Sequence, residues 1–553
     1  MGWITQSRRR QIATKGRQMV LSRAGGTASV TLMAYAPPAS RTTTCLSSGG
    51  YVDVATGTKY PPILASLPDV DRELDISISG SSMTQSFGQL TVNLSDGVAD
   101  SMNVHNHTGD LSILTGLRSY DMARGWWSDP ALSACQPLFT GSATAWRTGA
   151  TQGTLTLSGP AVLSRQLPLA TYAGTGGVEG GSDLTGRVKP RLRGYAFNIT
   201  PVCVDSVNQI YQVSDGPFWM GTQGTQPDLT VLEGGVLGAW SVPATDGGWA
   251  YAGMVSDITT ADPAAGTYVV ESSSRGAFFR LGGTPVYTIT CWATGVMPDG
   301  TYVSSLPDIV RQVLVQDIGI PAASISSTWA DPFGKVDSAA GAFWDGSDSY
   351  TGQDMITALL QGTMRKLAVA RDGTLKLIGI TDSFLQLVPH QWEKLAVLPD
   401  EVIDIKETDL PSELALPLTC GRCTYSRNYT VMSTSTLSPK ADLSTLRTQR
   451  SAVTVGTDSS TVEVVSPPEV LTSLRTQAGA QVVADVINKL WTVADRRVFY
   501  VTLPFERLFD FEMGDEIVLF ANVEGVRDGL GGLVVGESWR GSSAGQCVLT
   551  VLV

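Results

Sequence analysis

The sequence predicts a mainly β protein with α+β insertions, divided among several domains. Three observations predict it. Short apolar runs alternate with polar residues at period two, as in Leu74, Ile76 and Ile78 against Asp75, Ser77 and Ser79, the pattern of a strand with one buried face. Glycine numbers 58 of 553 residues, and turn chemistry recurs between the runs. Charged residues are only 16%, against the usual quarter or so. A free enzyme of this size ordinarily carries a more charged surface, so extensive protein–protein contact is expected.

The elements follow in order. Residues 1–60 read as a basic N-terminal extension: helix-compatible spacing over 5–23, a strand over 30–35, then a Pro-, Thr-, Ser- and Gly-rich loop to residue 60. Residues 1–52 hold seven basic and no acidic residues, which leaves 32 basic against 51 acidic in the rest. An acidic body disfavours non-specific nucleic-acid binding, and the basic run suits an arm that contacts an acidic neighbour. Residues 61–171 show strands at 74–79, 90–94, 139–146 and 154–158. Residues 172–299 are glycine-rich, with hairpins around 267–281. Residues 300–384 form an α/β unit. It has one helix from Leu306 that Gly319 and Pro321 stop, a second over 354–367, and a hairpin turn at Arg371-Asp-Gly373. Residues 385–553 return to strands around one helix over 477–491, apolar at Ala480, Val483, Ala484, Ile487 and Trp491.

The densest signal is residues 172–216: Tyr172-Ala-Gly-Thr-Gly176, Gly186-Arg-Val-Lys189-Pro190, Asn198-Ile-Thr-Pro-Val-Cys-Val-Asp205 and Ile210-Tyr211-Gln-Val-Ser-Asp-Gly216. Six glycines over 174–186 permit backbone angles closed to other residues, and Pro190 and Pro201 fix φ. This is a shaped connection with short strands. Together with Phe87–Gly97, Phe139-Thr-Gly141, Leu155–Pro168, Leu306–Leu314, Met513–Val518 and Gly532–Gly536, it resembles the tail-tip or baseplate hub proteins of long, non-contractile-tailed phages. The resemblance spans most of residues 65–553 and is specific because the motifs occur in order.

The resemblance implies two small β-barrel domains, at 61–171 and 385–553, and a homotrimer whose ring docks on the tail tube. It implies distal tail, tape-measure and tip or fibre proteins as partners, transient DNA passage, and a place at the virion's tail tip after synthesis in the host cytoplasm. Residues Tyr172, Lys189, Pro190, Asp205 and Tyr211 of the signature, and Arg8, Arg9 and Arg10 of the arm, are the interface candidates. Two other readings remain open: a tail-associated cell-wall or capsule hydrolase, and a receptor-binding tip protein.

Chemistry is sparse. The histidines are His105, His107 and His390, and no ligand set surrounds them. Seven scattered cysteines (45, 135, 203, 291, 420, 423 and 547) do not make a disulfide framework and fit a reducing compartment. Cys420-Gly-Arg-Cys423 is the one spacing that suits a thiol pair or, by analogy with some flexible-tailed phage tips, an iron–sulfur cluster; a second pair is missing. Gly541-Ser-Ser543-Ala-Gly545 lacks the strand-to-helix setting of a nucleophile elbow. Glu179 and Asp183 read as acceptors that stabilise the loop. The thirteen tryptophans suit a core and a subunit interface. There is no apolar run long enough to cross a membrane and no secretory h-region. No catalytic residue, metal or resident cofactor is assigned.

Overall fold

A computed structural model describes residues 28–36, 43–94, 109–121, 126–159, 167, 169–221, 227–237, 248–334, 336–386, 396–439, 441, 446–456, 464–540 and 545–553. The described chain is mainly β, in several sheets with a few helices. The arm candidates Arg8, Arg9 and Arg10, all three histidines and most of the 541–545 string lie outside the described residues.

The first large sheet runs, in hydrogen-bonded order, Thr44–Ser47, Ala28–Ala36, Gly109–Asp121, Gln136–Thr148, Gln152–Ser158, Gln89–Asn93 and Leu64–Ser66, with Trp126–Ser128 added to Gly109–Asp121. Its period-two alternation works as expected: Leu90, Val92, Leu155 and Leu157 are buried. The second large sheet runs Ala396–Val397, Glu516–Leu519, Leu530–Trp539, Gln546–Leu552, Val498–Pro504 and Asp404–Thr408. Between them in sequence lie two five-stranded sheets. One is built on Arg191–Ile199 and Ile289–Gly295, the other on Ile210–Ser214, Gly276–Leu281 and Thr267–Ser273. Leu192, Ala196 and Cys291 of the first share a core with Val213, Phe279 and Val270 of the second.

Four features depart from the sequence reading. Residues 44–60, expected as loop, contain three short strands, and Ala28–Ala36 pairs along its whole length with residues 110–118. Much of the described part of the presumed extension is therefore sheet, and Met33 and Leu46 sit in the same core as Leu90 and Leu155. The hairpin Val70–Leu74/Met83–Phe87, expected within the first β domain, pairs instead with Leu530–Trp539 of the second large sheet. One buried cluster accordingly joins Val92 and Ile113 to Val501, Leu549 and Val551. The run at 74–79 is a strand only to Leu74. Asp75 Oδ1 accepts from Ser77 N and breaks the ladder, while Ile76 and Ile78 still turn inward. The second helix is Gly352–Leu360, ending seven residues earlier than expected. Gly362, at φ 71°, ends it, and Arg365–Val369 becomes a strand paired with Leu375–Gly379.

The helices start on side-chain caps. Ser305 accepts from Asp308 N ahead of Leu306–Gln312, which continues as a π turn over Val313–Asp317. Thr351 and Asp354 form a reciprocal capping box, each satisfying a backbone N–H that the first turn leaves without a partner. Thr476 caps Gln477–Trp491, the helix with the bounds the sequence predicts. All three helices bury their apolar faces in one cluster with Leu367, Leu375 and Ile378.

Candidate functional site

The signature segment folds onto itself. Thr171 and Val188 form an antiparallel bridge; Tyr172 N donates to Arg187 O and Gly186 N donates to Tyr172 O, each at 2.9 Å. Two 3-10 turns, Gly177–Glu179 and Ser182–Leu184, fill the loop between. Tyr172 is 1% exposed and packs with Val178, Leu184, Val202, Ile210 and Phe278. Burial pushes its phenol far above the ordinary range. Lys189 lies 5.4 Å from the Tyr172 ring and 2.7 Å from Glu179 Oε1, and Glu179 Oε2 accepts from Ala173 N at 3.2 Å. Burial raises the Glu179 carboxyl, but Lys189 and the Ala173 N–H hold it below its ordinary value. Glu179 is thus the loop acceptor expected of it.

Beyond Pro190 the chain enters strand Arg191–Ile199, where alternation puts Arg191 and Arg193 on one face. Arg191 Nη2 is 2.6 Å from Asp215 Oδ2, and its Nη1 is 3.2 Å from Asp317 Oδ1. Arg193 grips Asp317 through Nε (3.0 Å) and Nη2 (2.8 Å), the bidentate geometry that makes arginine–carboxylate pairs strong. Arg193 and Asp317 are both 1% exposed in their side chains. Burial depresses Arg191, and Asp215 and Asp317 more than reverse it. The start of this strand is thus clamped both to Asp215 and to the π turn that ends at Asp317. Sequence reading passed over Arg191, Arg193 and Asp317; the usable signal was two arginines at i, i+2 inside an apolar strand with no acid beside them.

The structure places several signature residues inside the chain. Tyr172, Pro190 and Tyr211 are buried within the chain, so in this fold they organise the segment and offer no surface. Tyr211 stacks on Phe279 with centroids 5.1 Å apart. Asp205 closes the 205–210 turn by accepting from Val207 N, Asn208 N and Asn208 Nδ2. Lys189 is committed to Glu179. The physical reason is common to all: a loop this rich in glycine has few side chains of its own to bury, so its few large ones become its core.

Cys420 and Cys423 both lie in strand Cys420–Tyr425. Residues three apart in a strand face opposite sides, so the two thiols do not converge on one ion or one disulfide. Both are free thiols. Cys423 is buried, its thiol pushed up to about 12 by desolvation, which is the reverse of a reactive or ligating cysteine. The intervening Gly421 has a structural cause: a Cβ there would meet Ala484 O at 2.0 Å, because the strand lies against helix Gln477–Trp491, and Asn488 Oδ1 accepts from Gly421 N at 3.0 Å. Among the described residues no three His, Cys, Asp or Glu side chains are placed to hold a metal. An open polar groove of about 630 Å³ is lined by Arg311, Ser326, Trp329 and Asp372 with a single carboxylate, short of the paired acids that glycan cleavage uses.

A second set of buried charges sits where distant parts of the chain meet. Glu537 of strand Leu530–Trp539 pairs with Arg72 of the crossed-over hairpin and with Arg371 at the tip of the 365–379 hairpin. All three are under 10% exposed. Arg72 Nη1 also donates to Val369 O. The cavity between them holds about 10 Å³, room for one water at most. Nearby, the buried ammonium of Lys366 donates to Ser77 O (2.6 Å) and Gly80 O (2.8 Å), tying the 75–82 loop to the α/β unit.

No protein-family model matches the chain, and no curated protein matches it. Solved structures of tail and virion proteins are among those that align with it. A 43 kDa tail protein of prophage MuSo2 from Shewanella oneidensis covers 94% of this chain and 95% of its own, at 8% identity and a TM-score of 0.35. A tail protein from Neisseria meningitidis MC58 covers 95% and 96%, at 9% identity and a TM-score of 0.38. A chain from the virion of a native gene transfer agent particle covers 50% of this chain and 83% of its own, at 15% identity and a TM-score of 0.18. At TM-scores under 0.5 these are likenesses and assign nothing.

Proposed function

We propose that the chain is a structural virion protein of a long, non-contractile phage tail, a tail-tip or baseplate hub. The observation that carries this reading is the ordered series of motifs, from Phe87–Gly97 through 172–216 to Gly532–Gly536. In this reading three copies form a ring. The ring joins the tail tube to tip and fibre proteins and frames the channel through which the tape measure and DNA leave.

The physical character of the molecule supports a mechanical role. Its buried ion pairs join segments far apart in sequence, Arg72 to Glu537 and Arg193 to Asp317. Such pairs are costly to assemble and costlier to break, a property that suits a part loaded in compression or tension. The groove at Arg311 and Asp372 and the separated thiols offer no convergent set of groups for hydrolysis.

The test is native mass measurement of the full chain, together with immunogold labelling of purified particles. A three-copy species and label at the tail end are expected. A lone monomer that degrades peptidoglycan or capsule, and is absent from particles, would overturn the reading.

A further inference from the structure

The chain carries two exposed surfaces of opposite charge, each centred on an exposed branched aliphatic residue. The first is built on the seam between strand Arg191–Ile199 and residues 426–432. Phe197 bridges to Asn428, and Tyr429 N donates to Phe197 O. Ser426 N donates to Leu474 O, which brings Arg475 alongside; Asn428 Nδ2 donates to Leu446 O and Thr448 O, which brings Arg447 alongside. Arg475 lies 3.9 Å over the Tyr195 ring and Arg427 lies 4.6 Å over the Tyr429 ring. The Tyr429 hydroxyl, accepting from Phe343 N at 3.2 Å, fixes that ring. Stacking on a ring orders a guanidinium and leaves its N–H edge for a carboxylate or phosphate. Arg427, Arg447 and Arg475 make no ion pair among the described residues. Asp228, which acts on the Tyr195 phenol, is engaged by Thr294 Oγ1 at 2.5 Å. Val431, 48% exposed, stands beside Met432, whose N–H donates to Leu446 O.

The second surface is strand Asp404–Thr408, the last in the order of its sheet, paired on one side to Val498–Pro504. Asp400, Asp404, Glu407 and Asp409 are exposed around it, as is Lys406. Glu407 has only a 3.9 Å contact to Arg497. Ile403 is 51% exposed at the strand's start. Four carboxylates against Lys406 and Arg497 leave the surface acidic, opposite in sign to the three arginines. An edge strand also presents backbone groups for pairing with another chain. An apolar centre with a charged rim is the anatomy of a specific contact.

We propose, resting on the multi-copy reading above, that the Arg427–Arg447–Arg475 face of one copy docks on the acidic edge strand 400–409 of the next copy. Different patches meet in such a contact, so it is head-to-tail, the kind of contact that forms a ring when its rotation closes. A second copy is favoured over nucleic acid because each copy carries the complementary acidic edge with an exposed apolar residue, Ile403, to meet Val431, whereas a phosphate backbone offers charge alone.

The experiment uses the full chain in native mass spectrometry and sedimentation. Arg427→Glu with Arg475→Glu is expected to weaken assembly by about tenfold or more, as is Asp404→Arg with Glu407→Arg. Combining all four substitutions in one chain restores assembly, since the reversed face of each copy then meets the reversed edge of the next. Raising salt to roughly 1 M, where charges are screened beyond about 3 Å, weakens the unmodified protein in the same direction. The edge-strand variant lies at an exposed edge, so its folding, checked by circular dichroism, keeps the test decisive if the arginine variant misfolds. A ring that forms equally well in both variants overturns the docking while leaving the hub reading standing. Arginine-dependent binding of a short DNA duplex with unchanged assembly overturns it in favour of a nucleic-acid surface. A monomer under every condition that is also missing from particles removes both.

Discussion

The Nε of Arg371 lies 2.9 Å from Glu537 Oε2, across 166 residues of chain, with Arg72 on the carboxylate's other oxygen. One buried anion thus holds three segments: the crossed-over hairpin, the turn of the α/β unit and the longest strand of the second large sheet. Burial pushes the Glu537 carboxyl up, and Arg371 and Arg72 overcome it and hold it below its ordinary value.

Replacing Glu537 with Gln leaves two guanidiniums buried without a counter-ion. The expected loss is on the order of 3 to 5 kcal/mol, read from the urea midpoint. Because the folded carboxyl is held low, its contribution is present above the unfolded carboxylate range, near pH 4, and disappears as pH falls through the lower folded value. The unmodified protein therefore loses stability on acidification more steeply than E537Q. Equal acid limbs in the two proteins would contradict this.

Lys366 titrates in the opposite sense. Desolvation lowers its ammonium to about 8, with Asp75 and Glu413 only partly opposing. Between that value and the unfolded lysine range the unfolded chain binds more protons, so this group's contribution to stability rises with pH. Lys366→Met removes that rise, on the order of 1 to 3 kcal/mol across the interval, seen as a flatter stability profile from pH 8 to 10. A profile identical to the unmodified protein would show that the ammonium is not buried.

Thiol labelling at pH 8 should rank the cysteines by exposure. Cys203 is exposed and reacts first, whereas Cys291, Cys423 and Cys547 are buried, with thiols raised by desolvation. Mass mapping after oxidation should find no Cys420–Cys423 disulfide, since the two face opposite sides of their strand. Its appearance in good yield would contradict the strand register with Ser451–Gly456.

Gly421→Ala should be disproportionately damaging for a single methyl group. The added carbon meets the backbone oxygen of Ala484, which sits within a helix and cannot step aside. A loss of roughly 1 to 3 kcal/mol is expected, the range for overpacking, with Arg422→Ala on the other strand face as a control that changes little. Thermal midpoints of the two variants check it.

What the sequence determined by itself is local. Period-two runs gave Leu90–Val92 and Leu155–Leu157 their buried faces, a cap and a 3.6-residue stripe gave Gln477–Trp491 its bounds, and Arg371-Asp-Gly373 gave its hairpin. Each depends on neighbours within a few positions. What only the tertiary structure decided is non-local: that the 70–87 hairpin leaves the first sheet for Leu530–Trp539, that Ala28–Ala36 pairs with Gly109–Asp121, and that Tyr172 and Tyr211 face inward. A strand edge pairs with whichever edge its side chains let it reach, and a buried arginine takes whichever carboxylate the packing brings to it. Both choices are settled by the energy of the assembled core, which no window of sequence contains.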